Sequence, residues 1–310
     1  MDRIVDITTD DLHLSAYRGF LVVSLHRQEQ GRVALNDIQA VIVHAHGVTW
    51  TTSLVVALAE RGAVMVLCAA NHSPVAIISP IDGHHAQAAR MRAQWDAPRP
   101  LFKQLWQKII VAKIAMQSSL LAAQGRAEAN ALMLMARRVR YGDPDNLEAQ
   151  AARKYWPALM GNEFRRDQNA DGANALLNYG YTVMRSCVAR SIVGSGLNPA
   201  IGLHHHNRLD GFALADDLVE PFRPLVDGLV RRMTDEGIDT VTSEAKHRLA
   251  RLIGHDLRLG GAVSPVSVAS QRLAQSLTRS FEERKSALAL FDPPDALDWA
   301  SLGPPVAIES

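Results

Sequence analysis

Apolar positions change their period once along this chain. Over residues 1–80 they come in short β-branched runs: Arg3–Ile7, Phe20–His26, Ile38–His44, Ala63–Ala69 and Val75–Ser79. Gly, Asn, Asp and Pro punctuate them, which is how strands and their turns read. One helix interrupts the series: Thr51, Thr52 or Ser53 can cap it, LVVALAE follows, and Gly62 stops it. Residues 81–100 carry Gly83, His84, His85, Pro98 and Pro100 and read as a linker.

From Leu101 the spacing becomes helical. Leu101, Leu105, Ile109 and Ala112 share one face. A second helix is expected over Ala122–Val139. After the turn Asp143-Pro144-Asp145, Asn146 can cap a helix that puts Glu148, Ala151, Ala152 and Tyr155 on one face. Ala173–Val193 is the longest periodic stretch, with Leu177, Tyr181, Met184, Val188 and Ile192 as its stripe. Gly180 inside it costs about 1 kcal/mol against alanine, so close packing is expected there. Leu225–Met233, Lys246–Ile253 and Val266–Leu290 read as further helices. The end of the chain, 292–310, holds Pro293, Pro294, Pro304 and Pro305 and is expected to be extended or disordered. The pattern predicts an α+β protein: a β-rich N-terminal domain over 1–80, a linker over 81–100, and a larger all-α domain over 101–291.

Composition adds limits to this. Hydrophobic residues are 47% of the 310, enough for a sizeable core, and the net charge of +1 announces no polyanion partner. Cys68 and Cys187 are the two cysteines and lie in apolar contexts, which argues against a disulfide framework and a cysteine zinc site and suits a reducing, cytoplasmic location. MDRIVDITTDD has no apolar signal region, and no apolar run approaches the roughly 18 residues of a membrane span; no membrane association is expected.

The candidate chemistry gathers in Gly202–Pro224, GLHHHNRLDGFALADDLVEPFRP. Asp217 and Glu220 stand at i, i+3 on one helix face, after His205. A ring nitrogen with carboxylates suits a hard divalent cation, Mg2+ or Mn2+ rather than zinc. Adjacent residues diverge on regular backbone, so only one of His204, His205 and His206, and one of Asp216 and Asp217, is expected to reach a common point. Pro221 and Pro224 clash with the carbonyls four residues back, those of Asp217 and Glu220, and open the helix there. Glu148 alone can be read as a charge complementing its helix dipole. Between 137 and 166, Arg137, Arg138, Arg140, Arg153, Lys154, Arg165 and Arg166 outnumber Asp143, Asp145, Glu148 and Glu163. Such a cluster suits a polyanionic substrate, and Arg137, Arg138, Arg153, Arg165 and Arg166 are the candidate DNA contacts. By contrast, residues 1–80 carry five Lys/Arg against seven Asp/Glu, which argues against that half as the nucleic-acid surface.

In order and spacing, GVTWTTSLVVALAERGAVMVLC, DGHH, NLEAQAARKYW, NALLNYGYTVMRSCVARSIV, GLNPAIGLHHHN and LADDLVEPFRPLVD resemble one family across nearly the whole chain. It is the CRISPR adaptation integrase, the first-numbered of the Cas proteins, in the branch that accompanies Cas9-type effectors. The resemblance implies metal-dependent DNA cleavage and transesterification that inserts short foreign segments, spacers, into the repeat array. It implies action on double-stranded and branched DNA, a homodimer formed through the β-rich half, and the small second Cas protein as partner. Residue by residue, Glu148 matches the glutamate of E-x-x-A-A-R, His205 the histidine of G-x-x-H, and Asp217 and Glu220 the final acidic pair. Many relatives carry aspartate at the position of Glu220. The implied catalytic set is Glu148, His205, Glu220 and Asp217. Glu148, His205 and Glu220 would hold the metal, and Asp217 would orient His205 or a metal-bound water. His204, His206 and Asp216 take no role from the resemblance. The rival readings are a non-catalytic DNA-binding scaffold of the same fold and a non-haem metal oxygenase. The scaffold would not need an intact Glu148, His205 and Glu220. The oxygenase would be expected to use two histidines and one acid.

Overall fold

The computed structural model describes residues 3–69, 74–80, 86–205, 211–259 and 261–302. His84, His85 and His206, candidates by sequence, lie outside them. In the N-terminal half the order is β1 (Arg3–Ile7), β2 (Leu12–Tyr17), β3 (Phe20–Leu25), β4 (Gln28–Ala34), β5 (Ile38–Val43), β6 (Thr49–Trp50), α1 (Thr52–Ala59), β7 (Val64–Cys68) and β8 (Pro74–Ile78). Two four-stranded sheets result, ordered β1-β5-β7-β8 and β4-β3-β2-β6. Strands β1, β5 and β7 are mutually parallel, and β8 closes its edge antiparallel.

The first sheet is buried on both faces, so β7 reads as a continuous apolar run and β5 as one interrupted by the buried Gln39. Val41, Val43 and Met65 point into a core shared with the second sheet and α1. Their neighbours Ala40, Ile42, Val64 and Val66 point the other way, into the core of the helical half. Tyr179 Oη also donates to Asp6 Oδ2 on β1 at 2.6 Å, tying that sheet to a helix beyond it.

The rest is mainly helical: α2 (Gln87–Trp95), α3 (Arg99–Ala123), α4 (Glu128–Ala136), α5 (Leu147–Met160), α6 (Ala173–Gly194), α7 (Ala213–Val219), α8 (Arg223–Asp235), α9 (Ser243–Ala250), then β9 (Asp256–Leu259), β10 (Ala262–Pro265), α10 (Val266–Glu282) and α11 (Ala296–Ser301). Three expectations need correction. The linker contains α2, whose buried Gln94 donates its amide to the carbonyls of Asn198 and Ile201. The all-α half holds an antiparallel ribbon, β9–β10. The end of the chain is not all extended: Asp295 caps α11 in a reciprocal capping box with Asp298, and Trp299 is buried. Residues 303–310 lie outside the described ones.

Gly180 fulfils its pattern. A Cβ there would collide with Val226 Cγ1 of α8 and stand 3.0 Å from Leu249 Cδ2 of α9. Alanine gains about 1 kcal/mol of helix propensity, but overpacking a buried contact costs about 1–3 kcal/mol or more. We expect Gly180→Ala to lower the melting temperature by several degrees. A melting temperature equal to or above wild type would show that α6 and α8 separate readily.

A lysine-bridged carboxylate pair beside an anchored histidine

Glu148 is set by the start of α5. Asp143 and Asn146 both take left-handed backbone, φ +47° and +51°. Asp143 accepts from the amides of Leu147 and Glu148 at 2.9 Å each, and Asn146 Oδ1 from that of Ala149 at 3.3 Å. The helix start is thereby satisfied and Glu148 is fixed one residue inside it. Farther along the same face, Tyr155 Oη donates to Asp227 Oδ2 of α8 at 2.8 Å, and Tyr181 Oη of α6 donates to Asp227 Oδ1. Burial pushes the Asp227 carboxyl up to about 6, against these two hydrogen bonds. That shared carboxylate holds α5, α6 and α8 in register behind the site.

Glu220 sits where the helix breaks. Residues Glu220–Phe222 form one 3-10 turn between α7 and α8; Pro221 lies in that turn and Pro224 in the first turn of α8. The glutamate is almost fully buried. Its Oε1 lies 3.1 Å from Arg223 Nε and its Oε2 lies 2.5 Å from Lys113 Nζ. The same ammonium lies 2.6 Å from Glu148 Oε1. One cation therefore bridges two carboxylates that are 72 residues apart in sequence. Burial would push Lys113 down, but Glu220 and then Glu148 outweigh it and hold the ammonium above the usual lysine value. Burial would raise Glu220, but Arg223 and Lys113 hold its carboxyl below the usual range.

His205 is positioned by Asp217. That fully buried carboxylate accepts from the amides of Leu203 at 2.5 Å, His204 at 3.0 Å and His205 at 3.4 Å, and from His205 Nδ1 at 2.6 Å. Gly202 is required for this wrap: a Cβ there would meet the His205 carbonyl oxygen at 2.5 Å and Asp217 Oδ2 at 2.8 Å. The Asp217 hydrogen bond raises the His205 pKa above its ordinary value. With Nδ1 so engaged, Nε2 is the nitrogen left for chemistry, the arrangement that metal-binding histidines use. His204 stacks on the buried Trp106 of α3, centroids 4.5 Å apart and planes 1° from parallel. Asp216 pairs with Arg185 at 2.6 Å.

A cavity of 330 Å³ opens beside His205, lined by Arg166, Tyr181, Arg185 and Arg223 among others. The guanidinium groups of Arg166 and Arg223 lie 5.5 and 4.8 Å from the centre of the Tyr181 ring. Of the candidate DNA contacts, only Arg166 lines this cavity. Arg153 lines a separate groove with Arg126 and Lys154. Arg165 is folded back onto the carbonyls of Asn162 and Phe164. Arg137 and Arg138 are exposed beyond the end of α4.

The residues fit a divalent cation in one respect and not yet in another. Two carboxylates already share one cation position, and buried Glu220 Oε2 has no directed hydrogen bond despite its short contact with Lys113. As the side chains stand, however, no three His, Cys, Asp or Glu residues among the described ones close around a metal site. Lys113 is a site residue that the sequence reading missed. The signal was present: it lies seven residues after Trp106 on α3, on the same face, as a lone charge within IIVAKIAM.

Residues 5–250 match the family model described as CRISPR associated protein Cas1. The CRISPR-associated endonuclease Cas1 of Neisseria meningitidis is 40% identical over 210 residues, 67% of this chain and 69% of that one. An endonuclease Cas1 of Pyrobaculum aerophilum is 27% identical over 285 residues, 86% of this chain and 95% of that one. Among solved structures, a casposase bound to its integration product superposes with a TM-score of 0.78 at 18% identity, covering 92% of each chain. A Cas1 protein of Thermotoga maritima superposes at 0.68 with 14% identity, covering 94% of this chain and all of that one. A chain of a Cas6-RT-Cas1–Cas2 complex superposes at 0.76 with 16% identity, covering 94% of this chain and 36% of that one.

Proposed function

This chain belongs to the CRISPR-associated Cas1 family, and from that premise we propose that it is a DNA endonuclease and integrase of CRISPR adaptation that works with a divalent cation, Mg2+ or Mn2+. The observation that carries the reading is the convergence of Glu148 and Glu220 on one cation position, with the Asp217-anchored His205 and an arginine-lined cavity alongside.

Glu148, Glu220 and His205 would hold the metal. When bound, it supplies an activated oxygen nucleophile and neutralises the charge on the leaving oxygen. The chain's own residues do the rest. Arg166 and Arg223 take phosphate oxygens in the cavity, where fork-shaped guanidinium groups bind oxyanions best. Asp217 keeps the His205 ring turned with Nε2 outward. The Tyr155–Asp227–Tyr181 network keeps the three helices from spreading under a charged substrate. The substrate is double-stranded and branched DNA, and the protein acts in the cytoplasm with the small Cas2 protein. The casposase held on its product and the Cas1–Cas2 assembly support the choice of DNA and of that partner. Branched DNA should be cut or rejoined by manganese-loaded protein and not by chelator-treated protein. Equal rates in the two would remove the metal from the mechanism.

The homodimer through the β-rich half is part of the same reading. Light scattering of the full chain should give about twice the 33.9 kDa of one copy. A monomer at micromolar concentration would overturn it. Among the described residues, no helix is long and apolar enough to cross a membrane.

A further inference from the structure

We propose that Lys113 is a resident counter-ion that occupies the divalent-cation position between Glu148 and Glu220, and that it has to swing out for metal to bind, so that this residue sets the metal affinity of the site. The proposal rests on the reading of the pair as metal ligands given above.

The geometry leaves no room for both cations. Lys113 Nζ stands 2.6 Å from Glu148 Oε1 and 2.5 Å from Glu220 Oε2. A hard divalent ion ligated by two carboxylates sits about 2.0–2.6 Å from their oxygens. An ammonium and a metal ion that need the same oxygens at nearly the same distance exclude each other. The lysine also approaches from a third element. It comes from α3, while the carboxylates come from α5 and from the turn before α8. Its four-carbon stem is flexible, and it is anchored on a different element from either carboxylate.

The bond to be given up is an ion pair at contact distance, 2.5 Å from Lys113 Nζ to Glu220 Oε2. Arg223 holds the other oxygen of Glu220 independently at 3.1 Å. When Lys113 leaves, Glu220 keeps one positive neighbour, and the metal supplies the other. Without metal, Lys113 prevents two like charges, one of them almost fully buried, from facing each other unneutralised, an arrangement that otherwise forces one carboxylate to protonate. The lysine therefore stabilises the empty site and weakens the apparent metal affinity, by the fraction of time it occupies the position.

The test is Mn2+ titration by calorimetry, with melting curves in chelator and in saturating Mn2+, on wild type, Lys113→Met and Lys113→Arg at pH 8. Lys113→Met keeps the stem and removes the competitor. It should bind Mn2+ about tenfold more tightly than wild type, melt lower in chelator, and recover most of the difference when saturated. Lys113→Arg keeps the charge in a larger, pre-shaped fork, so it should bind Mn2+ about tenfold more weakly. A purely structural lysine would lower the melting point equally with and without metal and would not tighten binding. Wild-type Mn2+ affinity in both variants overturns the proposal. If Lys113→Met does not fold in chelator, the Lys113→Arg titration decides alone: weaker binding supports displacement and unchanged binding overturns it. If wild type itself takes up no Mn2+, the metal reading of the site fails, and this proposal with it.

Discussion

Glu148→Gln should abolish strand cleavage and joining while leaving the protein folded and bound to DNA. Glutamine keeps the shape and the place in the first turn of α5, where Asp143 and Asn146 go on capping the helix. What it loses is one of the two charges at the shared cation position. Removing one preorganised electrostatic group from a reaction site costs about 100–1,000-fold in turnover, and on the proposed reading, in which this charge would also hold the metal, the loss belongs at the upper end. Stability should change little, because Lys113 keeps Glu220 as its partner and Glu148 is partly exposed. DNA affinity at fixed salt should stay within about twofold, since phosphate contacts carry it. Rates on branched DNA and a binding isotherm settle the matter. More than a tenth of wild-type activity in this variant would dismiss Glu148 as a metal-holding residue.

Asp217→Ala should fail differently, through folding. Its carboxylate is the acceptor for three backbone amides and the ring of His205, and it is fully buried. Each buried donor left bare costs about 1–3 kcal/mol. With partial rescue of exposed His205 by water, a total near 3–5 kcal/mol is expected. At about 2–4 °C per kcal/mol for chains of somewhat smaller size, the melting temperature should drop by about 10 °C. Thermal denaturation in chelator checks this without reference to metal. A variant that melts within 2 °C of wild type would mean that the 202–205 wrap does not depend on the carboxylate.

Much of this site was written in local sequence. His205, Asp217 and Glu220 lie in one stretch, and the two prolines mark where the helix gives way. Glu148 was legible only by resemblance, since a glutamate in a first helical turn has an ordinary reading. Lys113 stood out as a lone charge in an apolar stretch, but nothing local says that α3 meets α5 and the turn before α8; Arg223 was within reach as the i+3 neighbour of Glu220 and was passed over. A lysine in a buried stripe shows its role only once its partners are placed. In the β half, β5 and β7 stood out because both their faces are apolar. β4 escaped because QEQGRVA is an exposed edge strand, and because the β3–β4 turn is built on His26 and Arg27 in left-handed backbone, φ +49° and +68°. Neither residue is a usual turn signal. The arginine cluster does not share one place: Arg166 lines the cavity beside His205, Arg153 lines a separate groove, and Arg137 and Arg138 are exposed beyond α4.

The first sheet serves two cores at once, and this limits how the molecule can be taken apart. Ala40, Ile42, Val64, Val66 and Cys68 face the helices as the inner wall of their core, not as the outside of a separate module. A fragment cut at the linker would leave those residues in water on one piece and the underside of α6, with Tyr179, in water on the other. Exposed apolar surface of that kind drives self-association. The size of an isolated helical half in solution would therefore report its torn face and not the native pairing of two chains. Interface mapping on this protein belongs to the intact chain, with single substitutions on the outer sheet.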